Sequence, residues 1–204
     1  MRRAVTGAAE GSPGVAPAGA RVAAVLVPLF EEDGEARVIL TRRAATLASH
    51  RSEIAFPGGV VGLDESEVDA ALREADEEVG LIPGAVSVIG RLDRQVTPTT
   101  GFILTPFVGL LNGRPALQPV PGEVEEAFDV PLSLLLDPDV YREERWDQPL
   151  PDRAVHFFEL DRDTVWGVTA RILYRLLGLV TADVSGRTGP PAPGRAGETL
   201  PGPP

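Results

Sequence analysis

Residues 58–81, which read GGVVGLDESEVDAALREADEEVGL, decide the fold of this chain. The segment opens on a glycine pair, passes through a short acidic loop and enters a stretch with helical periodicity. Val68, Leu72, Ala75 and Val79 recur at the spacing of one apolar stripe on a 3.6-residue helix. This spacing predicts a helix over about residues 65–79.

Both ends of the predicted helix carry recognisable signals. Ser66, followed three residues later by Asp69, resembles a capping box at the start. Gly80 is well placed to end the helix, since glycine tolerates the left-handed backbone of a helix C-terminus.

A second face of this helix is acidic. Glu74, Glu77 and Glu78 are neighbours there, with Glu67 nearer the N-terminus of the same face, because residues three and four apart lie side by side. Like charges at this spacing weaken a helix, and the macrodipole disfavours negative charge towards the C-terminus. Two interpretations fit: a solvated acidic surface, or a site for a hard divalent cation, Mg²⁺ or Mn²⁺, which prefers carboxylate oxygens.

Length and composition exclude several classes of protein. The 204 residues suffice for one domain with a substantial core, and the net charge of −11 makes a nucleic-acid backbone an unfavourable partner. The absence of cysteine excludes disulfides, thiolate metal sites and cysteine nucleophiles. No apolar run has transmembrane length and no signal-peptide core is present, so we expect a cytoplasmic protein without a membrane partner.

The rest of the chain predicts strands around that helix and a second long helix. Residues 1–20 and 181–204 are rich in glycine and proline and are predicted to be flexible tails of a domain at 21–180. Strands are predicted over 21–30, 36–41, 54–56, 85–93, 102–111, 141–146 and 154–160, and an acidic, proline-bearing loop over 119–126.

Three further features complete the secondary-structure prediction. Pro106 is expected at a bulge or an edge of the sheet, and residues 131–136 are expected to form a short helix. Thr164 is predicted to cap a final helix whose buried stripe contains Trp166, Ala170, Leu173 and Leu177. This order of elements indicates a mixed α/β or α+β sandwich.

The fixed letters of residues 58–81 match a known signature, G-x5-E-x7-R-E-U-x-E-E-x-G-U, in which U is aliphatic. The U positions hold Ala75 and Leu81, and the seven fixed positions hold Gly59, Glu65, Arg73, Glu74, Glu77, Glu78 and Gly80. This segment resembles the signature of the Nudix hydrolase superfamily. The resemblance implies a Nudix α/β/α sandwich, with a mixed β-sheet between two long helices.

The preceding segment is similar to the motif of the coenzyme A pyrophosphatase branch of that superfamily. The similarity includes residues 40–44, Leu47, His50 and residues 56–59, and extends downstream to give a match over about 22–179. Two positions depart, since the branch usually carries arginine at Ala48 and glycine at Ser52. The absence of an arginine at Ala48 affects the predicted recognition of substrate, because guanidinium groups bind phosphates bidentately.

The resemblance implies hydrolysis of a diphosphate in a small-molecule nucleoside diphosphate derivative. Mg²⁺ or Mn²⁺ held by Glu74, Glu77 and Glu78, with the Gly59 carbonyl, would neutralise the phosphates and acidify a water. Arg73 is expected to hold the loop and helix together. The base that accepts the water's proton is predicted among four glutamates: Glu77, Glu78, Glu123 or, as second choice in the distant loop, Glu126.

The predicted substrate contacts are basic residues, each with an ordinary surface role as the alternative. They are Arg42, Arg43, His50, Arg51 and Arg94, of which Arg43 fits the motif best. His156 is expected to be structural. The chain is also expected to form a homodimer, as small domains of this kind often do.

Three functions remain open at this point. The leading hypothesis is a coenzyme A diphosphatase that releases 4′-phosphopantetheine, or its acyl form, and adenosine 3′,5′-bisphosphate. The second is a Nudix hydrolase of ADP-ribose, a dinucleotide or a nucleoside triphosphate. The third is a non-catalytic nucleotide sensor, although such modules commonly lose the signature glutamates that this chain keeps.

Overall fold

The computed structural model of the chain describes residues 21–47, 52–97, 101–147 and 153–185. The predicted N-terminal tail, Ala48, His50, Arg51 and residues 186–204 lie outside these ranges. Eleven strands are described: β1 Arg21–Glu32, β2 Glu35–Arg43, β3 Ile54–Ala55, β4 Gly58–Val60, β5 Ser87–Arg91, β6 Gln95–Val96, β7 Phe102–Leu110, β8 Val124–Pro131, β9 Tyr141–Trp146, β10 Arg153–Glu159 and β11 Thr164–Trp166. The helices are α1 Glu67–Val79, α2 Leu132–Leu135 and α3 Gly167–Ser185, with a 3-10 turn at Pro83–Ala85.

Eight strands form one mixed sheet. β1 lies at its centre, antiparallel to β2 and β4 and parallel to β7. The order along the sheet is β3-β2-β1-β7-β5, with β6 also paired to β7 and β8 to β2. Strands β9, β10 and β11 form a separate antiparallel sheet.

The central strand β1 packs a helix on each of its faces, because successive side chains of a strand point in opposite directions. Val25 and Val27 belong to the same buried cluster as Leu173 of α3. Ala24 and Leu26 belong to the cluster that contains α1. The predicted α/β/α sandwich with a mixed sheet between its helices is therefore confirmed.

The boundaries of α1 follow from its caps. The Ser66 hydroxyl accepts a hydrogen bond of 3.2 Å from the Asp69 amide, so the helix begins at Glu67 rather than at 65. Gly80 takes a left-handed backbone with φ 72° and ends the helix after Val79, as predicted.

The predicted start of the second long helix was wrong. Thr164, Val165 and Trp166 form β11, in which Trp166 pairs with Phe157 and the Thr164 hydroxyl donates to Glu159. Threonine, valine and tryptophan all favour strands, and the partner β10 stabilises that extended backbone. The helix begins instead at Gly167 and continues to Ser185, beyond the predicted domain end at 180.

Pro106 lies in an inner strand rather than at an edge. It pairs with Val25 of β1 on one side, and its carbonyl accepts from the Leu92 amide on the other. Leu92 falls in the break between β5 and β6, so the missing N–H of Pro106 interrupts no regular ladder there. None of the helices described is long and apolar enough to cross a membrane.

Candidate active site

The glycine turn and α1 meet through direct contacts between backbone and carboxylates. The Gly58 amide donates a hydrogen bond of 3.0 Å to Glu78 Oε2. A Cβ atom on Gly59 would lie 2.5 Å from Glu74 Oε1, so a side chain at this position would force the Glu74 carboxylate to move. Gly59 thus leaves room for Glu74 beside the β4 backbone, and the Gly58 amide binds Glu78 there.

Glu78 is a buried carboxylate. Only 6% of the residue is exposed. Burial raises the pKa of Glu78 to about 7, which the Gly58 amide and Arg43 partly oppose, whereas the negative charges of Glu74 and Glu123 raise it further. An acidic group with such a pKa changes its protonation state near neutral pH, a property typical of functional sites.

Arg73 links the acidic loop to the helix. Its Nε and Nη2 atoms donate to the two Glu65 oxygens at 2.8 and 3.0 Å, and Nη1 donates to both Glu74 and Glu77 at 2.9 Å. The Gly62 amide also donates to Glu65. The hydrogen bonds from Arg73 and, to a smaller extent, from this amide lower the pKa of Glu65. These contacts agree with the expected role of Arg73 in holding the loop and helix together.

Arg43 faces the buried glutamate from β2. Its Nη1 atom lies 3.9 Å from Glu78 Oε1. Its Nε atom is buried and has no hydrogen-bond partner among the described residues, although 30% of the side chain is exposed. A buried donor without a partner is costly, so a ligand oxygen at this position would satisfy it.

The loop that carries Glu123 is tied to the end of α1. The amides of Gln118 and Val120 donate to the carbonyls of Val79 and Glu78, at 2.9 and 3.0 Å. The Glu123 carbonyl in turn accepts from the Ala44 amide at 2.9 Å. Glu123 therefore lies beside the site and is exposed to solvent.

The other predicted residues lie in different surroundings. Arg42 donates to both Asp163 oxygens at 3.0 and 2.6 Å and to Glu126 at 2.5 Å, and only 12% of its side chain is exposed. Arg94 bonds to Glu67 at 2.5 Å, near the opposite end of α1 from Glu78. The predictions for His50 and Arg51 lie outside the described residues.

The described residues at this site fit a divalent cation in part. Glu78 is buried and accepts from the Gly58 amide, and Glu74 lies against Gly59, where any Cβ would fill the space. However, no three acidic or histidine side chains of the described residues converge on one point. Glu77 instead bonds to Arg73 and has a side chain that is 57% exposed. A cation held by Glu74, Glu78 and a backbone carbonyl, with water as further ligand, matches the donors that Mg²⁺ prefers.

One contact of the site was missed from the sequence: the Gly58 amide, rather than a side chain, bonds Glu78. Glu123 was predicted from the sequence as a candidate base, and backbone hydrogen bonds from Gln118 and Val120 join its loop to the end of α1.

Comparisons with known proteins identify the family of the chain. The model of the NUDIX domain matches residues 20–154. Nudix hydrolase 22, chloroplastic, of Arabidopsis thaliana is 40% identical over 166 residues, which cover 78% of this chain and 55% of that protein. The uncharacterized Nudix hydrolase NudL of Photorhabdus laumondii is 39% identical over 157 residues, which cover 76% of this chain and 83% of that protein. The chain thus spans about half of the plant relative and most of the bacterial one.

A solved structure is similar in fold. The Ap4A hydrolase of C. elegans, in a binary complex, superposes with a TM-score of 0.50 at 20% identity, covering 57% of this chain and 83% of that one. This likeness concerns the fold alone. The matched domain and the two relatives show that the chain belongs to the Nudix hydrolase family.

Proposed function

We propose that the chain hydrolyses the diphosphate of coenzyme A or its acyl derivatives, giving 4′-phosphopantetheine, or its acyl form, and adenosine 3′,5′-bisphosphate. The reaction class rests on one observation above all: the buried Glu78 carboxylate held by the Gly58 amide beside Glu74. The choice of coenzyme A rests on the resemblance of residues 40–59 to the coenzyme A pyrophosphatase motif.

Glu74 and Glu78, with the Gly59 carbonyl, are the residues proposed to hold Mg²⁺ or Mn²⁺. Such an ion supplies charge neutralisation of the diphosphate and a water of lowered pKa. The Gly58 amide orients Glu78, and Arg73 restrains Glu74 through its 2.9 Å hydrogen bond. Glu77 bonds to the same Arg73 nitrogen and is proposed to contribute to the negative field at the edge of the site.

Glu123 is the proposed acceptor of the proton from the attacking water. Its charge acts on the pKa of Glu78, so the two groups are close, and it is exposed, which suits an exchange of protons with solvent. Glu126, the second choice, is engaged by Arg42 at 2.5 Å, and this favours Glu123.

Arg43 is the proposed phosphate contact. Its buried Nε lacks a partner among the described residues, and the side chain is partly open to solvent beside Glu78. A phosphate oxygen accepting from this nitrogen would satisfy it and place the diphosphate next to the carboxylates. Arg42, in contrast, is bonded on all sides to acidic groups, which favours a structural role.

Of the two departures from the motif, Ser52 has little consequence for backbone shape. It takes φ 54°, the left-handed conformation that a glycine adopts at no steric cost, and its amide donates to the Arg43 carbonyl at 3.1 Å. The departure at Ala48 removes an arginine and keeps a second candidate function open, the hydrolysis of ADP-ribose, a dinucleotide or a nucleoside triphosphate. A cytoplasmic location and a homodimer stay predictions.

A substrate panel tests this proposal. Purified protein would be incubated with Mg²⁺ or Mn²⁺ and, separately, with coenzyme A, acetyl coenzyme A, ADP-ribose, diadenosine tetraphosphate and dATP, and the products identified by mass. The proposal predicts the highest kcat/KM for a coenzyme A compound, with both expected products. Coenzyme A left intact while another compound is cleaved would overturn the choice of substrate.

A further inference from the structure

A second cavity lies away from the glycine turn, between α3, strands β9 and β10 and the segment before β6. Its volume is about 610 Å³, within the range of pockets that bind small molecules. Arg94, Arg145, Arg171 and Arg175 line it, together with two acidic residues, Asp93 and Glu143. This gives an excess of two positive charges in a chain whose net charge is −11.

Two of the four arginines that line the cavity, Arg171 and Arg175, lie on α3. Arg94 is bonded to Glu67, and Arg145 lies 3.3 Å from Glu143, so these two arginines are partly neutralised. Arg175 is exposed and forms no ion pair with any residue that the structure describes. Arg171, one helical turn earlier, faces the same cavity.

The cavity has an ordered floor. Gln95 is buried, donates to the Asp93 carbonyl at 2.9 Å and accepts from Arg171 at 3.3 Å, so it fixes the direction of that guanidinium group. His156 stacks on Tyr174 with ring centroids 4.1 Å apart, and its Nδ1 lies 2.9 Å from the Tyr141 hydroxyl. These contacts restrain the walls before any ligand arrives, which lowers the entropy cost of binding.

Charges of both signs act on His156 in the wall of the cavity. Burial is the main reason why the pKa of His156 is lowered to about 4. The negative charge of Glu143 opposes this shift, whereas the positive charges of Arg171, Arg175 and Arg145 add to it. The imidazole is therefore neutral at physiological pH.

This cavity is separate from the proposed diphosphate-cleaving centre. Its nearest link to α1 is Arg94, which bonds Glu67 in the first turn of the helix. Glu78 lies eleven residues further along α1, roughly 16 Å away at about 1.5 Å per residue. The arginines of α3 also lie on the other face of the sheet from Glu74 and Glu78, because α1 and α3 pack on opposite faces.

We propose that this cavity is a second site, which binds a phosphorylated small molecule through Arg171 and Arg175. Phosphate suits the site because it accepts several hydrogen bonds and matches the planar fork of a guanidinium group. The Tyr174 ring beside the arginines adds an apolar surface for the organic part of such a ligand. This inference does not depend on which substrate the first site cleaves.

Calorimetric titration with inorganic pyrophosphate tests the proposal. The full chain would be kept in EDTA, so that no divalent cation recruits the probe to the glutamates of α1. We expect saturable binding that weakens as salt is raised. The Kd for pyrophosphate should rise about tenfold or more in Arg175→Gln, because the substitution removes one hydrogen bond from a charged donor.

Two matched variants separate the two sites. Arg162→Gln removes the same charge from an exposed loop outside the cavity and should leave the Kd within about twofold of the original. Arg43→Gln alters the first site and should have equally little effect. Absence of pyrophosphate binding to the original protein, an unchanged Kd in Arg175→Gln, or a loss confined to Arg43→Gln would each overturn the proposal. Circular dichroism of every variant would show that the fold is retained.

Discussion

The Gly58 amide and the Glu78 carboxylate are joined by a 3.0 Å hydrogen bond across 20 residues of sequence. This bond fixes one end of a carboxylate that burial would otherwise favour in its protonated form. The need for glycine in the turn has other causes. A Cβ atom on Gly58 would lie 2.4 Å from the Ala24 carbonyl oxygen, and one on Gly59 would lie 2.5 Å from Glu74 Oε1. The turn and the helix are thus one unit of the proposed site.

Gly59→Ala should impair catalysis more than stability. The new methyl group would overlap the Glu74 carboxylate, which is the far end of a flexible side chain and can move away. We expect the free energy of unfolding to fall by less than about 1 kcal/mol, which is less than when an added methyl group meets atoms that cannot move. We expect kcat to fall about tenfold or more, because Glu74 leaves its position. Gly84→Ala is the control, because nothing lies within 4 Å of its added Cβ. Equal activities of the two variants, measured at saturating metal, would contradict the assignment of Glu74.

Arg42 and Arg43 should differ in what their loss affects. Arg43→Gln is expected to raise KM about tenfold or more, since a charged donor to the phosphate is removed. Arg42→Gln leaves Asp163 and Glu126 without their shared partner, and a loss of about 1–3 kcal/mol in unfolding free energy is expected. Steady-state kinetics and urea unfolding of both variants measure the contrast. A larger rise in KM for Arg42→Gln would restore Arg42 as the main phosphate contact.

Ser52→Gly should stabilise the protein. Ser52 has φ 54°, a strained value for a residue with a side chain. Glycine would remove that strain, and we expect the relief to exceed the entropy that glycine loses on folding. An increase of roughly 0.5–1 kcal/mol in unfolding free energy is expected, with little change in KM. Ser87→Gly, in the extended backbone of β5, should have the opposite sign. Destabilisation by both substitutions would show that Ser52 is not strained.

The buried His156 should make stability fall in acid. Burial lowers its pKa in the folded protein to about 4, from 6.5. Between pH 6.5 and 4 the unfolded chain therefore binds a proton that the folded chain does not, so stability is lost as pH falls through this window. In His156→Gln, an amide can still accept from Tyr141, and the loss should be smaller. Unfolding free energies of both proteins from pH 4 to 8 measure the difference, and parallel curves would refute the role of His156.

Much of the fold follows from local sequence signals. The apolar stripe and the caps of α1 predict its position, because Ser66 and Gly80 act within a few residues of the chain. The mixed sheet between two helices came from the resemblance, and the burial of both faces of β1 bears it out. The start of α3 was missed since Thr164 can either cap a helix or extend a strand, and pairing with β10 decides between them.

The site was less predictable than the fold. Helical spacing places Glu74, Glu77 and Glu78 close together, yet Glu78 is buried and Glu77 is bonded to Arg73 at the surface. Spacing on a helix does not say which side chain the sheet covers. Similarly, the pairing of Arg42 with Asp163 joins residues 121 positions apart, which only the tertiary fold brings together.

The most direct measurement is the metal-dependent turnover of coenzyme A by Glu78→Gln. The amide keeps the size of the side chain but removes the negative charge that is proposed to hold the cation. Asp76→Asn is the control, an exposed position on the same helix outside the proposed site. With products identified by mass, we expect the original protein and Asp76→Asn to release 4′-phosphopantetheine and adenosine 3′,5′-bisphosphate, and Glu78→Gln to be about 10²-fold slower or worse. Full metal-dependent turnover by Glu78→Gln would contradict the central claim that Glu78 forms the catalytic centre.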